Sequence, residues 1–556
     1  MTNNKNQMNQ MHTKPADEVY VNGRFYTVDA QRSWAEAVAI SDGRFVYVGD
    51  HDGVQAYIGE ETKVSDVAGK MVMPGLHDMH MHGVHGALGK LFHCKFPFTS
   101  SVEEIAEAVG AFAAANPHEA WVVGGAWLMS IAGEIDKAIL DAVVPDRPVF
   151  LWDAGNHNAW VNSKALEVAG ITRETPNPSD GIIGRDKHGN PTGLLLEGAA
   201  IRAWRHVPER TDEEHQQAIL WLADTLNQLG ITSIKEAAVD RATMRAYKAL
   251  NDAGKLNLRV GCHFLWLTAF LADPDDLEPL LNDRHQYAGD RVQVEFLKLF
   301  LDGVPVARTA AMLKPYTGDD PATHDPHALL LVDPETLKEV LIRFDREGLL
   351  VKMHATGDAS LRAALDAIEA ARLFNGDSGI GHEIAHPQNV SSADLPRFAQ
   401  LGAVPDLCPI LWHPSRNKEL NVKAAVGAER VERSWPIGSY HRSGAHLIAG
   451  TDWPAMAPTP NNWLGMQTMI TREDPTGAVL GKLGDGEEID LATAIEIYTI
   501  NGAKAARHAD RVGSIEVGKS ADFIILDRNL FEISPHDIGR TQVLKTVLDG
   551  QTVWQQ

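Results

Sequence analysis

Residues 349–373 read LLVKMHATGDASLRAALDAIEAARL. A short apolar strand runs into His354 and Asp358, and a helical stretch over 359–373 follows at once. The same order recurs on either side. GITSIKEA (230–237), LRVGCHFL (258–265) and VEFLKLFLDG (294–303) precede it. IGHEIAHPQ (380–388), GAVPDLCP (402–409) and AHLIAGTDWP (445–454) follow, with another helical stretch at 391–401. Alternating β and α over several hundred residues implies a parallel sheet or a closed (β/α) barrel. In such a barrel the C-terminal strand ends converge on one mouth, so ionisable residues placed there can act together.

Outside this region the texture changes to short alternating strands. VYVNGRFYTVD and AVAISDGRFVYVGD lie at the N-terminal end, GSIEVGKSADFIILD and VLKTVLDGQTVW at the C-terminal end. Asn22-Gly23, Asp42-Gly43 and Asp549-Gly550 read as hairpin turns. One β-sandwich built from both ends, residues 18–73 with 507–556, is the expectation; two unrelated β decorations are the alternative. Residues 74–506 then form the barrel, and 1–17 an Asn/Gln-rich flexible leader. About 150 residues separate the strand before His80 from GITSIKEA, where a βα loop needs only a few. Helical patterns at 101–115 and 212–229 and turn-rich strands around GIIGRDKHGNPTG mark an insertion at about 90–228 that covers the mouth.

The 556 residues carry 51 basic and 74 acidic side chains, a formal charge of −23, which argues against an extended nucleic-acid surface. No apolar run approaches the roughly 18 residues of a membrane span, and the first residues lack a secretory pattern. Three widely spaced cysteines fit a reduced, cytoplasmic setting. The unusual count is 24 histidines.

Their placement carries the chemistry. In PGLHDMHMHG (74–83) a strand period of two turns His80 and His82 to one face, where both imidazoles reach one metal. Lys298, His354, His386 and Asp452 each lie at or near the C-terminal end of another proposed strand. One such histidine alone is usually a satisfied core residue; four with a lysine and an aspartate at one mouth are not explained by packing.

The chain resembles the amidohydrolase superfamily, in the family 3 branch that includes the N-substituted formamide deformylases. The resemblance spans nearly the whole chain. It rests on PG-x-x-D-x-H-x-H (74–82), K-x-F-x-DG (298–303), H-A-x-GD (354–358), the histidine of EIAHPQ (386) and G-T-D-W-P (450–454). It implies a distorted (β/α)8 barrel with a terminal β-sandwich and two divalent metal ions, zinc being the usual one. His80 and His82 would hold one ion and His354 and His386 the other. Lys298, carboxylated by carbon dioxide, would bridge them, and Asp452 would bind metal and shuttle the proton. In RPVFLWDAGNHNAWVNSKALEVAGI (147–171), His157 would face the substrate pocket and stabilise the oxyanion. An ammonium cannot ligate a cation, whereas a carbamate offers two oxygens; the alternative is a Lys298–Asp302 ion pair with a single metal.

The implied reaction is hydrolysis of a C–N bond in a small amide or formamide with an apolar or aromatic group, metal-held hydroxide attacking the carbonyl. Cyclic amides, carbamates and esters remain open, as does a metal-binding regulatory protein with little turnover. A homodimer is the default assembly. Three departures from the pattern stand out. His77 and His85 flank the motif and read as hydrogen-bonded or surface histidines, an accessory ligand role being the lesser alternative. Ala385, not a glutamate, precedes His386, with Glu383 displaced. Cys94 and Cys408 read as inert structural thiols. Trp127, Trp412, His413 and Trp453 are candidates for an aromatic pocket wall, core packing being an equal reading.

Overall fold

The computed structural model describes residues 14–155, 157–178, 180–267, 274–416, 418–455 and 457–556. Residues 1–13 of the expected leader lie outside the described residues. Its last members are not loose: Ala16 N donates to Tyr57 O at 2.8 Å and Asp17 N to Ile40 O at 2.9 Å.

Eight parallel strands form the central sheet: β1 (Leu76–Met81), β2 (Ile231–Val239), β3 (Arg259–Leu265), β4 (Val292–Phe300), β5 (Leu350–His354), β6 (Glu383–Ala385), β7 (Val404–Leu407) and β8 (Ile448–Ala449). They pair in sequence order from β1 to β8. Backbone bonds then bring the last strand back to the first, with Asp452 N donating to His80 O at 2.7 Å and His82 N to Trp453 O at 2.8 Å. The approach is tight: a Cβ on Gly450 would sit 2.3 Å from His80 N, so glycine is required there. Asp78 locks the same seam by accepting from Thr451 Oγ1 at 2.8 Å and His80 N at 3.1 Å. The expected barrel is therefore present.

Each barrel strand named in the sequence is found, and the helical stretches become Asp358–Asn375, Leu395–Leu401, Val102–Ala115 and Asp212–Gln228. The last two start on capping boxes, Ser101 with Glu104 and Thr211 with Glu214, which satisfy the first free N–H groups.

Strands from both termini share one six-stranded sheet, in the order Gln551–Gln555, Val543–Leu548, Phe523–Leu526, Met71–Pro74, Arg24–Tyr26 and Trp34–Ala35. A four-stranded sheet (Glu18–Val21, Ala37–Ser41, Arg44–Gly49, Lys63–Asp66) packs on it around Tyr20, Phe25, Phe45 and Phe523. Asp42-Gly43 and Asp549-Gly550 have positive φ at both positions, +48°/+72° and +50°/+74°, as a two-residue hairpin demands. The two turns abut: a Cβ on Gly43 would lie 2.5 Å from Asp549 O. Asn22-Gly23 is not a hairpin, because Glu18–Val21 and Arg24–Tyr26 enter different sheets.

The long first connection contains its own six-stranded sheet, from Cys94–Lys95 to Pro191–Glu197, followed by the helix Gly198–Trp204. The insertion expected at about 90–228 is narrower than that. Helix Asp212–Gln228 packs on Gly83–Phe92, Arg241–Asp252 and strand Gln551–Gln555, as an outer helix of the barrel.

Candidate metal and active site

β1 ends at Met81, and His82 follows immediately. His82 thus stands just outside the strand, and Nε2 of His80 and of His82 lie 3.6 and 3.7 Å from Oδ1 of Asp452. The other carboxylate oxygen of Asp452 faces Nε2 of His386 at 4.0 Å. Asp452 and His386 both follow short strands in the left-handed region, with φ +56° and +60°. Such backbone is uncommon without glycine, and here the fold fixes it at both residues. Asp452 is tied to His80 as above, and His386 N donates to Asp406 O at 3.1 Å.

Nζ of Lys298, on β4, stands 3.1 Å from Nε2 of His80. The Lys298–Asp302 ion pair is not formed. Asp302 instead accepts from the backbone N–H of Ala311 (2.9 Å), Thr356 (3.0 Å) and Gly357 (2.9 Å) and from Ser360 Oγ (2.7 Å). It thereby holds the loop after His354 in place.

His354 closes β5, its ring 4.8 Å from that of His386 and 6.3 Å from that of His157. Its Nε2 lies 3.2 Å from Gly303 O. Among the described residues, two sets of donor atoms converge within 4.8 Å: His80, His82 and Asp452, and His80, His386 and Cys408. His354 belongs to neither. Cys408, read from sequence as an inert thiol, has Sγ 3.3 Å from Nδ1 of His386, although burial pushes that thiol well up.

Asp406, Lys352 and Lys235 surround the site without having been singled out, together with Glu383. Asp406 on β7 lies 2.7 Å from Nδ1 of His80, which presents Nε2 of that ring to the centre. Nζ of Lys352 lies 2.5 Å from Asp406 and 3.1 Å from Glu383. Glu383, noted as displaced, points into the barrel and also pairs with Lys235. Lys235, Glu383, Lys352 and Asp406 are all fully buried. The available signal was a charge at an inward position of an apolar strand.

The imidazoles of the site are held in the neutral form that a metal ligand requires. Burial, then Lys298 and Lys352, hold His80 well below the ordinary histidine value; burial does the same for His82, His354 and His386. Burial and Lys352 bring Lys298 down to about 8, and burial raises Asp452 to about 7 against the pull of Lys298. Neutral imidazoles beside a carboxylate suit a divalent ion such as zinc, so the donor set fits the expected metal.

His157 enters from the inserted layer. Its Nδ1 lies 2.8 Å from Oε2 of Glu197, and Asp153 Oδ1 accepts from its backbone N at 2.9 Å. Burial pulls this histidine down, but Glu197, helped by Asp153 and Asp452, outweighs it and raises the group to about 9. A cavity of about 490 Å³ opens from His82 between the inserted layer and the barrel, walled by Leu88, Val123, Ile201 and Trp204 and by charged side chains, Arg205, Arg210, Asp240 and Arg241 among them. Trp204 is braced by Phe150 and Trp152, each with ring centroids 5.3 Å away.

The other tryptophans weighed for that wall are core. Trp127 donates to Leu151 O at 2.9 Å, Trp412 stacks on Trp435 at 6.0 Å and Trp453 lies 6.3 Å from Trp221, all three fully buried. His413 turns to Pro414 O at 2.8 Å. His77 sits at the opposite end of β1 from His80, its N–H on Tyr498 O at 2.7 Å. It is buried there, which makes it no surface histidine, and burial, with Arg259 and His508, holds it down to about 3.

The sequence profile described as "Amidohydrolase family" matches residues 63–554. N-substituted formamide deformylase of Arthrobacter pascens is 28% identical, over 97% of this chain and 98% of its own. Protein LONG AFTER FAR-RED 3 of Arabidopsis thaliana is also 28% identical, over 97% and 92%. Among solved structures, an uncharacterized metal-dependent hydrolase from Pyrococcus horikoshii superimposes with a TM-score of 0.74 at 26% identity, over 93% of this chain and 99% of that one.

Proposed function

The chain belongs to the amidohydrolase family, and from that premise we propose that it hydrolyses a carbon–nitrogen bond in a small open-chain amide or formamide with the help of two divalent cations, zinc being the first choice. The observation that carries the reading is the carboxylate of Asp452, which faces His80 and His82 through one oxygen and His386 through the other. Pure metal storage would need this carboxylate as a ligand only and not as a proton shuttle.

His80, His82 and Asp452 would hold one cation. His386 would hold the other, with His354 turned from Gly303 to join it. Lys298, as a carbamate, would offer two oxygens to the cations: carbon dioxide adds to the neutral amine nitrogen, and the proton released goes to solvent. When bound, such cations supply Lewis acidity to a carbonyl and make water a stronger acid. Asp452 would take the proton of the attacking water and pass it to the departing nitrogen, which avoids expelling an amide anion. His157 would donate from Nε2 to the carbonyl oxygen as negative charge develops there. The cavity beside Trp204 would take an apolar or aromatic substituent.

Elemental mass spectrometry on protein purified without chelators, then reconstituted with zinc and bicarbonate, tests the centre. About two ions per chain and turnover of N-substituted formamides or amides are the expected results. Turnover of esters or cyclic amides alone would move the substrate class. Absence of bound metal after reconstitution would overturn the reading.

A further inference from the structure

We propose that Glu197, a residue outside every motif above, is the positioning residue of His157, joining the inserted layer to the metal centre. The proposal rests on the hydrolase reading for the role of His157, and on geometry for its own.

Glu197 ends the strand Pro191–Glu197, antiparallel to the strand Asn158–Val161 that follows His157. Two contacts clamp the pair: Glu197 N donates to His157 O at 2.9 Å, and Nδ1 of His157 meets Oε2 of Glu197 at 2.8 Å. With Nδ1 on Glu197, the ring of His157 stands 6.3 Å from that of His354 between centroids. The backbone of Glu197 is strained to hold this arrangement, at φ +50° and ψ −124°. A non-glycine residue in such a conformation persists only where its surroundings over-determine it.

The second oxygen reaches the barrel. Thr309 Oγ1 donates to Oε1 of Glu197 at 3.5 Å, and a Cβ on Gly303 would stand 3.4 Å from the same oxygen. Gly303 O is the atom that faces Nε2 of His354. One carboxylate thus fixes the ring from the insertion and rests on the loop beside His354. Sequence pattern does not reveal this, because 40 residues separate Glu197 from His157 and only the folded hairpin brings them together.

Crystal structures of the wild type, Glu197→Ala and Glu197→Gln decide the positioning without any turnover. The ring of His157 should leave its orientation in Glu197→Ala and keep it in Glu197→Gln, whose amide oxygen still accepts from Nδ1–H. In the zinc-loaded enzyme, Glu197→Ala should lower kcat about 10- to 100-fold with KM within about twofold and metal content unchanged. Made in a His157→Ala background, the same change should cost nothing further, since Glu197 acts through that ring. An unmoved ring in Glu197→Ala, or an equal loss in the His157→Ala background, would overturn the proposal. If the wild type hydrolyses no amide, cyclic amide or ester while the ring moves as expected, the hydrolase reading falls and the positioning stands.

Discussion

At Asp452 a left-handed backbone, a bond to His80 O and the flanking Gly450 combine to place one carboxylate between three imidazoles. Asp452→Asn keeps the shape and an oxygen but cannot carry the proton. We expect kcat to fall about 10²- to 10⁴-fold, the span of general acid–base catalysis, while most of the metal is retained. Elemental analysis of the same sample that is assayed checks both halves; near-wild-type turnover would remove Asp452 from the mechanism. His80, His82 and Asp452 were legible because strand period and strand-end position are local properties. Asp406 was not: its link to His80 spans 326 residues, and nothing near it announces the contact. At His354 the motif was readable too, whereas the contact of its Nε2 with Gly303 O was not.

Among elements, β5 and its neighbours β6 and β7 show how a barrel interior hides chemistry. Lys352, Glu383 and Asp406 sit in strands whose other residues, His354 apart, are apolar, and all three are fully buried. Removing one member leaves a buried charge uncompensated. Lys352→Met should destabilise the chain by about 3–5 kcal/mol, read by urea unfolding. Adding Asp406→Asn should recover part of that loss; a purely additive double variant would refute the charge-balance account. The inserted layer was foreseen from the length of the first connection, but its lining was not. Trp127, Trp412 and Trp453 went to the core, and Trp204, which no motif flagged, became the braced wall. Trp204→Ala should raise KM for ring-bearing amides roughly tenfold and leave small formamides nearly unchanged, within the ~1–3 kcal/mol that an apolar contact discriminates. Equal effects on both substrates would place the ring-binding surface elsewhere.

Across the whole molecule, the terminal sheet is bound to the barrel by charge as well as by packing. Arg259, at the start of β3, pairs with Asp522 at 3.0 Å and with Asp549, and Arg291 reaches Asp549 at 3.0 Å. Asp549 also forms the hairpin turn that rests on Gly43, so a single residue joins both ends of the chain to the barrel. Asp-Gly was readable as a turn from sequence; its role as an ionic anchor was not, because Arg259 lies 290 positions away. Burial opposes ionisation of Asp549, but Arg259 and Arg291 more than offset it and hold the carboxyl below the ordinary aspartate value of 3.8. A carboxyl depressed on folding stabilises the native state fully above its unfolded value, and that contribution is lost as pH falls through the folded one. Asp549→Asn, which keeps the turn chemistry, should therefore cost about 1–3 kcal/mol at pH 7. The deficit should stay constant down to about pH 5 and shrink below about pH 4, where the wild-type carboxylate also takes up a proton. Chemical denaturation of both proteins at pH 7, 5 and 3.5 measures it. A deficit that does not change with pH would assign the stabilisation to the geometry of the turn instead of the charge on Asp549.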